Sequence, residues 1–358
     1  MIVAGGGTGG HLFPGLAVAE ALAAPGDASV LFVGSRHGIE ATAVPKTRFP
    51  FHGLDIRGLR GRGLGAALTF AWQLPVALVQ AWRIVGAFRP ALVLGLGGYG
   101  SVPVVLAAWL RRVPSVLLEQ NARPGLANRL LAYLSRRVCT TFADSARYFP
   151  TGKAVQTGNP VRALASDRQP SQNHFTIFVF GGSQGAHTIN RAAVEAAKRL
   201  TAQLPRLRII HQTGATDEEW VRQGYQGVGL VAEVLPFVDD MGGAYGRADL
   251  VVCRAGATTL AELTALGKPS ILIPYPFAVD DHQRANAEVL VGRGAADLLV
   301  DAELNGESLA RAVLSLAQDR DRLQAMGVAA RQLAVPDAAA RVAAVCRQVV
   351  GEEEGRLG

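Results

Sequence analysis

Ile2-Val3-Ala4-Gly5-Gly6-Gly7-Thr8-Gly9-Gly10-His11 is the stretch that decides the fold. Three apolar residues run straight into a glycine-rich turn, and a helical pattern follows from Phe13 to Ala24. A strand that delivers a glycine turn to a helix start lines up backbone N–H groups beside the positive end of the helix dipole, where an anion binds without needing a lysine. The same arrangement recurs where Phe175–Phe180 leads into Gly181-Gly182-Ser183-Gln184-Gly185. Two such turns predict two α/β lobes facing one cleft, with one phosphate-bearing ligand clamped between them.

Outward from these turns, short apolar runs alternate with helical patterns. In the first half, strands are predicted at Met1–Ala4, Ser29–Val33, Ala91–Leu94, Ser115–Leu118 and Val138–Thr141, with a helix at Ala127–Ser135. In the second half they are predicted at Phe175–Phe180, Leu207–Gln212, Leu250–Cys253, Ser270–Ile273 and Ala296–Val300. Helices there are predicted at Asn190–Gln203, Thr259–Leu266, Gln283–Val291 and Glu307–Met326. Alternation of this kind predicts doubly wound parallel sheets, so the fold class is α/β with two Rossmann-like domains. Residues 1–160 form the expected first domain and 161–335 the second, with Gly158-Asn159-Pro160 and Ser166–His174 as the hinge region. Residues 336–358 supply a last helix, Ala338–Val350, expected to pack back toward the first domain, and a charged tail, Glu352-Glu353-Glu354, expected to fray.

The 358 residues suffice for two cores, and 49% hydrophobic with 18% charged residues fits large buried sheets. Cys139, Cys253 and Cys346 are scattered without CxxC spacing, which argues against a disulfide framework and for buried thiols in a reducing compartment. Met1–Ala4 reads as a strand, not a signal peptide. The uncharged run Ala91–Leu110 fails as a membrane span, because Gly97-Gly98-Tyr99-Gly100-Ser101 and Pro103 would release backbone groups in mid-bilayer. The net charge of +7 is unevenly spread: 17 basic against 6 acidic residues up to Arg162, then 19 against 23. Only the first half is therefore suited to a polyanion, either nucleic acid or an anionic membrane surface. Arg57, Arg60 and Arg62, then Leu64, Leu68, Trp72, Leu74, Val79 and Trp82, then Arg83 and Arg89 give apolar bulk flanked by arginine, and Trp109 with Arg111 and Arg112 repeats it. That is the profile of an interfacial membrane contact, with ordinary helix–sheet core as the alternative.

Several readings of the turns compete. Gly5, Gly7 and Gly10 satisfy G-x-G-x-x-G, but the second strand ends in Gly34-Ser35-Arg36 rather than an acidic residue, which leaves only an NADP variant of the dinucleotide reading. His11, directly after the glycines, serves a proton-transfer site better than a dinucleotide turn. Gly181, Ser183 and Gly185 match the G-x-S-x-G elbow of serine hydrolases, with Asp280 and His282 as nominal partners, yet that reading leaves the first turn unexplained. A third cluster, Gly95-Leu96-Gly97-Gly98-Tyr99-Gly100-Ser101, and the triplet Glu119-Gln120-Asn121 follow further strands. They bring a tyrosine, a carboxylate and an amide to the same sheet edge as His11. In the second half, Arg254–Glu262 and Asp280–Asn286 carry carboxylates and amides suited to ribose and sugar hydroxyls. Asp239-Asp240 reads as a helix cap and Asp319-Arg320-Asp321 as a solvated helical run. No cluster has metal-ligand spacing, so neither metal nor cofactor is expected.

Taken in order, Gly5–Gly15, Gly97–Tyr99, Glu119–Asn121, Gly158–Arg162, Gly181–Ala186, Phe237–Met241 and Arg254–Glu262 resemble the MurG family over nearly the whole chain. These are the peptidoglycan N-acetylglucosaminyltransferases that make lipid II. The resemblance implies the two-lobed GT-B architecture and inverting transfer of N-acetylglucosamine from UDP-N-acetylglucosamine to the C4 hydroxyl of the N-acetylmuramoyl unit of lipid I. It implies a peripheral location on the cytoplasmic face of the bacterial inner membrane. The partners it implies are UDP-N-acetylglucosamine, lipid I, an anionic membrane surface rather than nucleic acid, and cell-wall synthesis machinery. Carried over by position, Thr8, Gly9 and Gly10 would lie near the donor sugar and phosphate, and Asn121 would bond the sugar. Arg162 and Ser183 would meet the diphosphate, and Val238 would offer its backbone to uracil. Ala257, Thr258, Thr259, Leu260, Ala261 and Glu262 would serve phosphate and ribose, with Glu262 on the ribose hydroxyls. Gln283, with Asn286 nearby, would read the sugar hydroxyls. One departure is Leu118, where family members often carry histidine. It places the general base on His11, with Glu119 second and Tyr99 beside them. The remaining alternatives are a natural-product glycosyltransferase, a UDP-sugar epimerase and a non-catalytic nucleotide-sugar or membrane-surface binding module.

Overall fold

The computed structural model describes residues 1–24, 29–56, 64–161, 170–171 and 173–357, without the side chains of 64–71, 354, 356 and 357. The chain divides into two compact units, Met1–Arg162 with Val335–Gly358, and Ala163–Ala334.

The first unit is built on seven parallel strands: β1 (Ile2–Ala4), β2 (Leu31–Ser35), β3 (Phe51–Leu54), β4 (Val93–Gly95), β5 (Ser115–Glu119), β6 (Arg137–Thr140) and β7 (Ala154–Gln156), in the spatial order β3-β2-β1-β4-β5-β6-β7. Side chains alternate across the sheet because a strand has a period of two. Ile2, Ala4, Val33, Val93 and Leu117 enter one core with Ala77, Ala81 and Val85 of the helix Leu64–Phe88 and with Val104 and Ala108 of the helix Ser101–Leu110. Val3, Phe32, Leu94, Val116 and Leu118 enter the opposite core with Leu12 and Val18 of the helix Gly9–Ala23.

The last helix, Ala338–Leu357, closes that second core with Val342, Ala343, Cys346 and Val349, spaced to share one helical face. Arg347 donates to the Ala21 carbonyl at 3.0 Å. The helix runs beyond the expected Val350 because Glu353 pairs with Arg136 at 2.6 Å and Glu352 with Arg137 at 3.6 Å, so the acidic tail is helical rather than frayed. Gly158, at φ +79°, lies against Val335, where a Cβ would come within 2.6 Å of that side chain.

The second unit has six parallel strands: β8 (Phe175–Phe180), β9 (Leu207–Gln212), β10 (Val231–Leu235), β11 (Leu250–Cys253), β12 (Ser270–Leu272) and β13 (Asp297–Leu298), in the order β10-β9-β8-β11-β12-β13. Phe175, Ile177, Val179, Ile209, Leu250, Val252 and Ile271 form one face of the core with the helices His187–Gln203 and Gly306–Ala317. Phe178 and Phe180 turn to the other face and meet the Tyr245 ring edge-on. The predicted single helix Glu307–Met326 is two helices. Asp319 starts the second, Arg320–Gln332, by accepting from the Arg322 N–H at 2.9 Å, so the D-x-D sequence is a cap. Asp240 caps the helix Met241–Arg247 through the Gly243 N–H at 2.8 Å in the same way. Among the described residues, no helix is long and apolar enough to cross a membrane.

Candidate functional site

In each unit the strand order reverses beside the first strand of that unit, between β1 and β4 and between β8 and β11. Open α/β sheets bind ligands outside the carboxyl ends of the strands at such a switch point. In the first unit the turn after β1 meets the turn after β4. Gly97 lies with its α-carbon under the edge of the His11 imidazole: a Cβ there would approach the ring carbon Cδ2 to 3.3 Å and Asn128 Nδ2 to 3.2 Å. Thr8 is the extended residue before the helix, and its carbonyl accepts from the His11 and Leu12 N–H groups. Its hydroxyl, instead of capping the helix, bonds His11 Nδ1 at 2.9 Å. For Nε2 to accept a proton, Nδ1 must carry the hydrogen, which Thr8 Oγ1 then accepts. Thr8 and Gly10 are exposed, and Gly9 and His11 are half-buried. Tyr99 is exposed in the turn after β4.

Glu119, at the end of β5, is only 2% exposed. Its Oε1 accepts from the Asn121 N–H and side-chain amide, and its Oε2 from Asn128 Nδ2 at 2.9 Å. Burial pushes the carboxyl above the usual carboxylate range, and these hydrogen bonds pull the other way. The carboxyl therefore organises the loop that presents Asn121. Leu118 points into the apolar core on the other side of the strand.

The first turn holds a feature that the sequence reading missed. Glu40, 1% exposed, inserts its carboxylate into the turn: Oε2 accepts from the Gly7 N–H at 2.7 Å and Oε1 from the Ser35 N–H at 2.8 Å. In the first turn the Gly7 amide is thus already taken by an anion of the chain itself.

The second turn is arranged differently. Gly182 O accepts from the Gly185 N–H, and the turn is pinned by Gln212, whose Nε2 also donates to Gly182 O at 2.7 Å. Gly185 (φ +75°) packs so tightly on Thr213 that a Cβ would sit 1.8 Å from its carbonyl oxygen. Among the described residues no carboxylate accepts from the amides of Gly182, Ser183 or Gln184, which lead into the 17-residue helix His187–Gln203. Ser183 is exposed. Gln212 Oε1 takes the Val238 N–H at 2.8 Å, so a base-reading contact at Val238 falls to its carbonyl. Behind the turn, Asn190, His211, Tyr225 and Asp217 form a buried chain: His211 bonds Tyr225 Oη at 2.8 Å and Asn190 Oδ1 at 3.0 Å, and Asn190 Nδ2 donates to Asp217. His187 bonds the same Asp217 carboxylate at 2.9 Å.

Ala257, Thr258, Thr259, Leu260, Ala261 and Glu262 open the helix Ala257–Leu266 directly after β11. Tyr245 Oη donates to Glu262 Oε2 at 2.9 Å, which fixes the carboxylate from below. Arg254, at the strand end, ties three carbonyl and carboxylate groups together, reaching Ile273 O, Pro274 O and Asp301, while its other nitrogen meets Thr188. Gln283 Oε1 accepts from the Tyr275 N–H, and Asn286 is wholly buried, donating to Ala255 O. Just before them Asp280 and Asp281 both have left-handed backbones, φ +53° and +52°, a strained conformation for non-glycine residues. Of the sequence-predicted residues, the first unit gathers Thr8, Gly9, Gly10, His11, Tyr99, Glu119 and Asn121 at one sheet edge. The second unit gathers Ser183, Val238, Ala257–Glu262, Gln283 and Asn286 at another. Arg162 lies outside the described residues, as do Arg57, Arg60 and Arg62.

Residues 1–140 match the glycosyltransferase family 28 N-terminal domain, and residues 176–342 match its C-terminal domain. Among curated proteins, the chain is 46% identical over 99% of its length to a UDP-N-acetylglucosamine--N-acetylmuramyl-(pentapeptide) pyrophosphoryl-undecaprenol N-acetylglucosamine transferase from Anaeromyxobacter sp. (strain K), covering 94% of that protein. It is 48% identical over 95% of both chains to the protein of the same name from Geobacter sulfurreducens. Among solved structures it superposes on Acinetobacter baumannii MurG with a TM-score of 0.80 at 32% identity, over 97% of this chain and 98% of that one.

Proposed function

Because the chain belongs to glycosyltransferase family 28 and, within it, to the MurG family, we propose how its own residues carry that family's reaction. The enzyme transfers N-acetylglucosamine from UDP-N-acetylglucosamine to the muramoyl unit of lipid I, giving lipid II for peptidoglycan synthesis. His11 is the general base. With Nδ1–H donated to Thr8, Nε2 takes the proton of the acceptor C4 hydroxyl. The acceptor oxygen then attacks the anomeric carbon on the face opposite UDP. The carbon–oxygen bond to the β-phosphate breaks with its electron pair leaving on UDP, so the configuration inverts.

The negative charge that collects on the diphosphate is met by the amides of the second turn and the dipole of the helix His187–Gln203. Ser183 meets the diphosphate, a role the family resemblance also gives to Arg162. Val238 offers its carbonyl to uracil, and Glu262, steadied by Tyr245, binds the ribose hydroxyls. Asn121, presented by Glu119, and Gln283 read the sugar. Glu119, through Asn121, and Tyr99 stand at the same sheet edge as His11 and serve the acceptor side.

The lipid-linked acceptor gives a use to the exposed apolar face of the first unit. Trp72 is 83% exposed, and Val76, Val79, Trp109 and Leu110 are exposed on two helices that pack together, with Arg83, Arg89 and Arg112 beside them. The Arg111 guanidinium sits 4.0 Å over the Trp82 ring. This face docks on an anionic membrane leaflet, peripherally, with the tryptophans at headgroup level.

The observation that carries this reading is the Thr8-oriented His11 at the switch point of a chain whose full length aligns with lipid I glycosyltransferases. Its test is UDP release from UDP-N-acetylglucosamine with and without a lipid I analogue. Acceptor-dependent UDP release with formation of a disaccharide product is expected. UDP release indifferent to the acceptor, or conversion of the donor to an epimeric UDP-sugar without UDP release, overturns it.

A further inference from the structure

The two glycine turns look equivalent in sequence, yet they are filled differently. In the second, among the described residues, no carboxylate accepts from the amides of Gly182, Ser183 or Gln184. The first surrounds Glu40. The chain is shaped around that carboxylate from two segments, the turn after β1 and the end of β2 with the turn that follows it. A Cβ would reach the carboxyl group at 2.6 Å from Gly6, 2.8 Å from Gly34 and 2.2 Å from Gly38. Three glycines thus give up side chains so that one carboxylate can lie at the end of β2 against the turn after β1. Its two oxygens are divided between the two loops, one on Gly7 and one on Ser35. Gly7 is followed by Thr8, whose hydroxyl bonds His11 Nδ1 and can accept its hydrogen when Nε2 acts as the base. Glu40 bonds Gly7 and Ser35, and it is too deeply buried to touch substrate.

We propose that Glu40 is a positioning residue for the transfer reaction: an internal anion that occupies the first glycine turn in place of a substrate phosphate and holds Gly7–Thr8 so that His11 faces the acceptor hydroxyl. The inference rests on His11 being the base. It corrects the symmetric picture of two phosphate cradles: the first turn orients a proton acceptor, and diphosphate binding falls to the second. A carboxylate is required because its two oxygens accept from two N–H groups at once. An amide at the same place would turn an NH2 group against one of them.

The test uses Glu40→Gln and Glu40→Ala in the full chain, assayed for transfer at saturating lipid I analogue, with UDP affinity measured by titration. In Glu40→Gln, kcat is expected to fall at least about tenfold, while KM for UDP-N-acetylglucosamine and UDP affinity stay within about twofold. In Glu40→Ala, formate, a small carboxylate that fits between Gly6, Gly34 and Gly38, should restore part of kcat with a saturable dependence that chloride at equal ionic strength does not reproduce. A residue that only added stability would give neither the kcat–KM split nor the formate response. Unchanged kcat in Glu40→Gln, or a rise in KM for the donor with kcat intact, overturns the proposal. So does a Glu40→Ala enzyme that folds and ignores formate. His11→Ala measured in parallel separates the two readings. If it transfers at the normal rate, the base assignment fails. If it is crippled while Glu40→Gln is normal, only the positioning role fails.

Discussion

His211 shows how a single buried residue ties the stability of the second unit to the solution pH. It is fully buried and bonded on both ring nitrogens, and desolvation lowers its pKa to about 3 from the ordinary 6.5. The folded state therefore keeps it neutral, while the unfolded chain binds a proton below about pH 6.5. A depressed pKa of this kind gives stability that is complete above the unfolded value and is lost as the pH falls below it. At about pH 5 the loss from this one group should reach about 2 kcal/mol relative to pH 7.5. Urea unfolding of the wild type against His211→Gln checks this. The wild type should lose about that much more stability than the variant between the two pH values, and parallel pH dependences would contradict the assignment. Nothing in the sequence marked His211, or Glu40, or Gln212. Each lies in an unremarkable strand or short helix, and each acts on a loop reached only through the fold. His11, Glu119 and Ser183 were legible because they sit inside strand–turn–helix signatures.

Elements were legible where apolar periodicity was strong and hidden where it was weak. The edge strands β3 and β10 escaped notice. Phe51-His52-Gly53-Leu54 and Val231-Ala232-Glu233-Val234-Leu235 put a histidine, a glycine and a glutamate in strands that need bury only part of their surface. Helix starts ran earlier than predicted, at Gly9, His187 and Ala257, because glycine and alanine at a turn carry no periodic signal. The helix Leu64–Phe88 has two unlike faces. Its Ala77, Ala81 and Val85 face the core, so small residues pack inward, while Trp72, Val76 and Val79 face outward. Sequence alone left core and interface as alternatives for this helix, and the exposure of its large residues favours the interface. The expected outcome is that the protein sediments with vesicles rich in anionic lipid, that Trp72→Ser with Val79→Ser weakens this, and that salt weakens it further. Binding that ignores salt, or survives the paired substitution unchanged, would contradict the docking face.

At the scale of the molecule, each unit carries one parallel sheet, one switch point and a glycine turn after its first strand, and those two turns have diverged in use. The charge asymmetry follows the same division. The basic first half holds the exposed tryptophans and the imidazole, and the mildly acidic second half holds the open amide turn. Proton transfer therefore belongs to the first unit and nucleotide binding to the second in the proposed reaction. The measurement that tests this most directly is the turnover of His11→Ala beside its affinity for UDP. Loss of a general base predicts a fall in kcat of about 100- to 10,000-fold with UDP affinity unchanged. Equal losses in turnover and UDP affinity, or full turnover without the imidazole, would contradict it.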